Sequence, residues 1–235
     1  MSAVVSAGTS AAGALQGKVC VVTGASRGIG HAVAEALGGL GASLSLCALR
    51  QAPQVPSTAP QHSARCDVSD EAQVTRFFND SAARLGPPDV LVINAGVLAR
   101  APLEELTAAQ WDLQLGVNLR GAFLCARAVW PSMRARRQGR IIAIGSISGT
   151  LGSASASAYN ASKWGLTGFI KSIAEEGRAH GLLCAVVLPG GVETEMLKQT
   201  PYPPQMQPNE VARVVRFLAT DAPLAMTGSA VEVFG

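Results

Sequence analysis

A chain of 235 residues, 48% hydrophobic and only 15% charged, has enough apolar side chains to close a substantial core. That excludes a disordered protein and fits one α/β domain. A formal charge of +3 with scattered basic residues excludes nucleic-acid binding driven by bulk charge and leaves at most a local patch for a small anionic ligand.

The five cysteines, Cys20, Cys47, Cys66, Cys125 and Cys184, are odd in number, lack CxxC spacing and sit in apolar runs such as "KVCVV" and "LLCAVV". They read as reduced core residues, with no metal site. Residues 1–16 lack the basic start and sustained apolar run of a secretory signal and are expected to be a flexible tail. Residues 17–235 form the domain, with no span long enough for a membrane and a cytoplasmic setting.

From Lys18 onward, short β-rich runs alternate with helical patterns: "KVCVVT", "GHAVAEALGGLG", "SLSLCAL", "ARCDV", "EAQVTRFFNDSAARLG" and "DVLVINAG". Alternation of this kind implies parallel strands joined by helical crossovers, and their continuous apolarity implies cover on both faces. One crossover breaks the rule. "RQAPQVPSTAPQHS" carries three prolines and reads as an irregular loop. A long helix then opens at Thr107, with Gln110 three places on as a capping box, and Pro131 is expected to kink or divide it near its end. "RIIAIGS" and "LLCAVVLPGG" are two further buried strands with a crossover helix around Tyr159 between them, and "GSAVEVFG" supplies the last strand. The expected fold is a Rossmann-type, doubly wound parallel sheet of about seven strands with helices on both faces, its ligands at the carboxyl ends of the strands.

"TGASRGIG", residues 23–30, joins the first strand to the first helix. Gly24, Gly28 and Gly30 permit torsions and close approach that side chains would block, and the helix N-terminus offers free N–H groups to a phosphate. With Ser26, Arg27 and Ile29 they make a candidate dinucleotide loop. The second strand ends at Ala48, Leu49 and Arg50, where a carboxylate would bind the ribose 2′-hydroxyl and repel a 2′-phosphate. None is present. Arg27 and Arg50 instead offer a cationic cradle, which favours NADP over NAD.

"YNASK" places Tyr159 and Lys163 one helical turn apart on one face. On its own that pair is an ordinary surface occurrence. Together with "TGASRGIG", "CDV" (66–68), "NAG" (94–96), "VNLRG" (117–121), "IGSISG" (144–149) and "PGGVETEM" (189–196), in this order, it resembles the compact branch of the short-chain dehydrogenase/reductase family from about Lys18 to the C-terminus.

The resemblance implies that Asp67 and Val68 flank the adenine, that Asn94, Ala95 and Gly96 support the nucleotide and the central sheet, and that Pro189, Gly190, Val192 and Thr194 line the nicotinamide. It also implies a catalytic set of Asn118, Ser146, Tyr159 and Lys163. Hydride transfer to a carbonyl leaves an alkoxide that needs a proton, which Tyr159 would supply. Lowering a phenol from near 10 by ~3 pKa units takes about 4 kcal/mol, expected from the Lys163 ammonium and the oxidised nicotinamide. Lys163 would also bind the nicotinamide ribose. Ser146 would orient the substrate oxygen, although a lone serine there is also an ordinary turn cap. Asn118 would hold a water that relays protons to Lys163.

Within the family, the motifs are most similar to 3-oxoacyl-carrier-protein reductases and related carbonyl reductases. "LKQTPYPPQMQPNE", with four prolines, is expected to be a short, stiff lid over an open pocket lined by Val97, Leu98, Ser148, Leu151, Gly191 and Met196. The basic run Arg134, Arg136, Arg137 and Arg140 would suit an acidic carrier protein, but at a helix end the favoured reading is a solvated cap. The last strand implies a homotetramer or dimer. The leading reading is an NADP-dependent reductase of a ketone or aldehyde, with a 3-oxoacyl thioester among the candidate substrates. Its alternatives are an NAD-dependent alcohol or hydroxysteroid dehydrogenase and a nucleotide-sensing protein without turnover.

Overall fold

The computed structural model describes residues 13–235. Its strands are β1 (Val19–Thr23), β2 (Ser43–Ala48), β3 (Gln61–Arg65), β4 (Val90–Ile93), β5 (Gly139–Ile144), β6 (Leu182–Pro189) and β7 (Ala230–Val233). The helices are α1 (Gly28–Gly38), α2 (Glu71–Leu85), α3 (Ala108–Leu115), α4 (Gly121–Arg136), α5 (Ser157–Arg178) and α6 (Pro208–Thr220). All seven strands join one parallel sheet in the order β3-β2-β1-β4-β5-β6-β7. The strand order reverses between β1 and β4, which opens a crevice at their carboxyl ends.

Side-chain alternation along each strand divides the core in two. Val22, Leu44, Leu46, Ile142 and Val187 face α1 and α6, where Val33, Leu37, Val211 and Leu218 meet them. Val21, Leu91, Ile141 and Val186 face α2, α4 and α5 through Phe77, Leu124, Met133, Leu166 and Ile170. Burial on both faces is what the unbroken apolar runs require. All five cysteines are free and buried in this core; burial pushes the Cys184 thiol up to about 12 and Cys20 and Cys125 further still, so these three stay protonated at neutral pH, whereas a hydrogen bond with Cys47 lowers Cys66.

Three expectations are corrected. Of the tail expected over residues 1–16, residues 1–12 lie outside the described residues, but residues 13–16 belong to a turn in which Leu15 is buried and donates its N–H to Leu40 O at 3.0 Å. The packed chain therefore begins before residue 17, because Leu15 closes the bottom of the α1 layer. The third strand is Gln61–Arg65, earlier than the expected "ARCDV". After Cys66 donates the last ladder bond to Ala48 O, Asp67 turns the chain by accepting from the N–H and hydroxyl of Ser69 at 2.9 and 2.7 Å. The long helix after Thr107 starts with its capping box but divides at a π-helical turn, Gly116–Arg120, and runs through Pro131 to Arg136. Pro131 lies on the exposed side of α4 with Arg127 one turn before it, where an unpaired carbonyl meets solvent at little cost. The proline-rich crossover over residues 49–60 contains no helix, as its composition requires.

The basic run sits at the amino ends of the strands, away from the crevice. Arg136 pairs with Asp89 at 2.9 Å, Arg137 donates to Ala179 O at 2.9 Å, and Arg140 donates to Leu218 O and Ala222 O at 2.7 and 2.9 Å. Three of its four guanidiniums thus serve the chain's own packing. Among the described residues no helix is long and apolar enough to cross a membrane.

Candidate active site

The turn from β1 into α1 is held by Asn94 at the end of β4. Its side-chain amide donates to Thr23 O at 3.0 Å and Gly24 O at 3.1 Å, and the main-chain N–H groups of Asn94 and Ala95 both donate to the Thr23 hydroxyl. These bonds clamp the two central strands together at the switch point. Gly30 is required by this packing, because a Cβ there would lie 2.3 Å from the Asn94 amide and 2.4 Å from Gly24 O. Gly28 is required by its backbone, with φ at 56°.

Arg27 occupies the N-cap of α1 and offers no capping bond, and the first turn contains no acid. The leading N–H groups of α1 are thus left without a side-chain partner, which suits an anionic phosphate. Thr194, from the segment after β6, lies over this turn: its Cγ2 would be 3.2 Å from a Cβ on Gly28. Pro189 ends β6 beside Val233, and Gly190 approaches Gln205 so closely that a Cβ would lie 3.0 Å from its Oε1. Val192 pairs with Met206 in an isolated bridge, so the lid is pinned at its base.

The other end of the crevice lies past β2. Ala48 ends the strand, Leu49 and Arg50 are exposed, and Arg27 is exposed in the glycine turn. No carboxylate forms an ion pair with Arg27 or Arg50 among the described residues. Asp67 spends one carboxylate oxygen on Ser69. Val68 packs against Gly121, where a Cβ would meet its side chain at 2.8 Å.

Ser146, Tyr159 and Lys163 converge beyond the carboxyl end of β5. Ser146 follows β5 directly and caps the short 3-10 turn Ile147–Gly149, its Oγ accepting from Ser148 N–H at 3.1 Å. Its hydroxyl is also close enough to the Tyr159 phenol to favour the ionised form, so it is both turn cap and neighbour of the phenol. Lys163 is 4% exposed, donates to Ile144 O at 2.9 Å, and holds Nζ 5.7 Å from the centroid of the Tyr159 ring.

Burial pushes the Lys163 ammonium down to about 8. Burial also raises the Tyr159 phenol, and the nearby Ser146 hydroxyl opposes that rise. In the protein alone desolvation dominates, and the amine of Lys163 is turned toward Ile144 O; the lowering expected from Lys163 together with the oxidised nicotinamide belongs to the nucleotide complex.

Asn118 lies in the π-helical turn and is buried. Its Oδ1 accepts from Val97 N–H at 2.8 Å, and its Nδ2 donates to Val97 O at 2.9 Å and to Ser162 Oγ at 3.0 Å. The Ser162 hydroxyl in turn donates to Tyr159 O at 2.7 Å. Gly96 is fitted between Asn118 and Lys163, with a virtual Cβ 3.3 Å from Oδ1 and 3.8 Å from Nζ. Both amide protons of Asn118 are thus spent, and Oδ1 keeps one lone pair. The side chain joins the β4 loop to α5.

Two further residues of this network escaped the sequence reading. Ser162 was hidden inside "YNASK" as an apparent spacer. Gln114, buried, accepts from Ala99 N–H at 3.0 Å and fixes the same β4 loop; a polar residue on the apolar face of α3 is its one sequence signal. Across the mouth, Arg100 donates to Ala154 O at 2.7 Å and lies 5.9 Å over the Tyr202 ring. The lid, expected to leave the pocket open, is tethered at its tip. Val97, Leu98, Ser148, Gly191 and Met196 are half-buried around this mouth, and Leu151 is exposed.

The family model for the short chain dehydrogenase matches residues 18–203. The chain belongs to the short-chain dehydrogenase family. It is 36% identical to the acetoacetyl-CoA reductase of Shinella zoogloeoides, over 93% of this chain and 97% of that protein. It is 35% identical to the 3-oxoacyl-[acyl-carrier-protein] reductase of Escherichia coli K12, over 94% and 97%. The crystal structure of gox2181 superposes with a TM-score of 0.84 at 32% identity, covering 94% of this chain and 95% of that one. As a short-chain dehydrogenase the protein is an NAD(P)-dependent oxidoreductase. The uncapped glycine turn, with Gly28 at positive φ, fits the pyrophosphate of such a nucleotide.

Proposed function

We propose that this short-chain dehydrogenase is an NADP-dependent reductase of the 3-oxo group of an acyl thioester, with Tyr159 as general acid. The observation that carries the reading is the meeting of Ser146, Tyr159 and buried Lys163 beside the uncapped glycine turn. When bound, the reduced nicotinamide supplies the hydride.

The side chains do the rest. Ser146 donates to the substrate oxygen and orients the carbonyl. Tyr159 delivers its proton as negative charge grows on that oxygen. A phenol raised by burial is fully protonated at rest, which suits a donor in the direction of reduction. Lys163, with its ammonium pushed down to about 8, remains largely charged at neutral pH and stabilises the phenolate left behind. Because both Asn118 amide protons are spent on Val97 and Ser162, a water relaying protons at this residue would be held as a donor, to Oδ1 or to the main-chain carbonyl.

The thioester class rests on the names of the two similar reductases and on the apolar mouth formed by Val97, Leu98, Leu151 and Met196. The choice of NADP rests on Arg27 and Arg50 standing where an acid would select NAD. Five buried, unpaired cysteines suit the reducing cytoplasm. A homo-oligomer is favoured by large apolar side chains on α4 and α5: Phe123 packs edge to face on Phe169, and Trp164 is 54% exposed.

The test is acetoacetyl-CoA offered with NADPH or with NADH while cofactor oxidation is followed. NADPH-dependent reduction supports the reading. A preference for NADH with turnover only of alcohols replaces it with the dehydrogenase reading, and nucleotide binding without turnover on a carbonyl panel replaces it with a sensor.

A further inference from the structure

We propose that Arg65, at the end of β3, is a third cation of the cradle for the ribose 2′-phosphate and a specificity-determining residue for the cofactor. This rests on the NADP reading above and adds a residue that no nucleotide motif contains.

Strand register places it. In parallel strands, directly paired residues point to the same face. His62 stacks on Phe77 of α2 with ring centroids 5.5 Å apart, and Ala64 packs into the core on that same side. Arg65 is therefore on the opposite face, with Ala48, its register partner, and with Leu44 and Leu46, which face α1. That is the face on which the glycine turn opens. Being the last residue of β3, Arg65 also stands at the carboxyl edge of the sheet, where ligands bind.

Its contacts point the same way. Nε donates to Leu49 O at 3.4 Å, which lays the guanidinium across the segment that carries Arg50. No other hydrogen bond and no carboxylate ion pair holds Arg65 among the described residues, and it is exposed. The donors of both Nη atoms are therefore available to an anion. Arg27, Arg50 and Arg65, from three separate segments, form no ion pair within the described residues, although Glu195 lies near enough to Arg27 to feel its charge. A doubly charged phosphate monoester accepts several charge-assisted bonds from such a set, whereas a 2′-hydroxyl offers them nothing to neutralise.

The test is a binding titration of wild type, Arg65→Met and Arg65→Lys with NADPH and NADH, and with adenosine 2′,5′-bisphosphate and adenosine 5′-monophosphate as unreactive probes. Thermal melts confirm that each variant folds. Arg65→Met is expected to weaken NADPH and the bisphosphate by about tenfold or more, the worth of one charge-assisted bond, with NADH and the monophosphate changed by less than about twofold. Arg65→Lys is expected to fall between, and the difference is expected to shrink as salt rises.

Equal loss for all four ligands would make Arg65 a mere prop for the Leu49 segment, and no loss would make it a bystander; either overturns the proposal. Wild type without preference for the 2′-phosphate ligands overturns the NADP reading and this inference together. Wild-type preference that survives Arg65→Met overturns this inference alone.

Discussion

Around Tyr159 most polar groups already have partners inside the protein, whereas at the other end of the crevice Arg27, Arg50 and Arg65 form no ion pair among the described residues. Asn118 commits both amide protons and one oxygen lone pair to Val97 and Ser162, and Lys163 donates to Ile144 O. Arg27 and Arg50 lie exposed. The difference separates two jobs. A group that must meet a transition state gains from being fixed in advance by buried hydrogen bonds, while a group that reads a charged ligand keeps its charge available until the ligand arrives.

Substitutions should therefore fail differently at the two ends. The largest effect is expected from Lys163→Met, which removes the cation beside the phenol: turnover should fall by about 10²–10⁴-fold in a steady-state assay. The same variant tests the electrostatics. Burial places the folded-state value of Lys163 at about 8, below the ~10.4 of an unfolded lysine. Between those values the unfolded chain binds more protons, so this group's contribution to stability rises with pH across that window and is a constant penalty below it. Denaturant unfolding of the cofactor-free protein should show wild type gaining on Lys163→Met as pH rises from 8 toward 10. A flat difference would mean that the amine is not desolvated.

At the other end, Arg27→Ala combined with Arg50→Ala should weaken NADPH on the order of 100-fold while NADH changes by less than about threefold, as two charge-assisted bonds are lost. Equal loss of both nucleotides would mark damage to the glycine turn. A smaller effect is expected from Ser162→Ala, which leaves the buried Asn118 amide one acceptor short. That costs about 1–3 kcal/mol, a fall of several degrees in the melting temperature, with nucleotide affinity unchanged. No change in the melt would show that the Asn118–Ser162 bond does not anchor α5 to the β4 loop.

What the sequence revealed follows the same division. The strands were legible because burial on both faces demands continuous apolar runs, as in Val19–Thr23 and Leu182–Pro189. The glycine turn and the Tyr159–Lys163 spacing were legible because each depends on neighbours in the chain. The π-helical turn was not, since the Asn118 side chain is held by Val97, 21 residues away, and Pro131 offered a louder but irrelevant signal. Arg65 was misplaced for a related reason. In a strand over residues 64–68 it would sit near the start, but the register of Ala48 with Arg65 makes it the last residue of β3, at the ligand edge. The burial that raises the Tyr159 phenol in the protein alone was not legible either, because burial is a property of the folded neighbourhood and not of the spacing.

The central claim is that Tyr159 is the proton donor in a site whose nucleotide cleft is separately built. Tyr159→Phe, titrated with NADPH and then assayed with acetoacetyl-CoA, tests it most directly. The account predicts NADPH affinity within about twofold of wild type and a loss of reduction of about 10²–10⁴-fold. Reduction at the wild-type rate in that variant would contradict it.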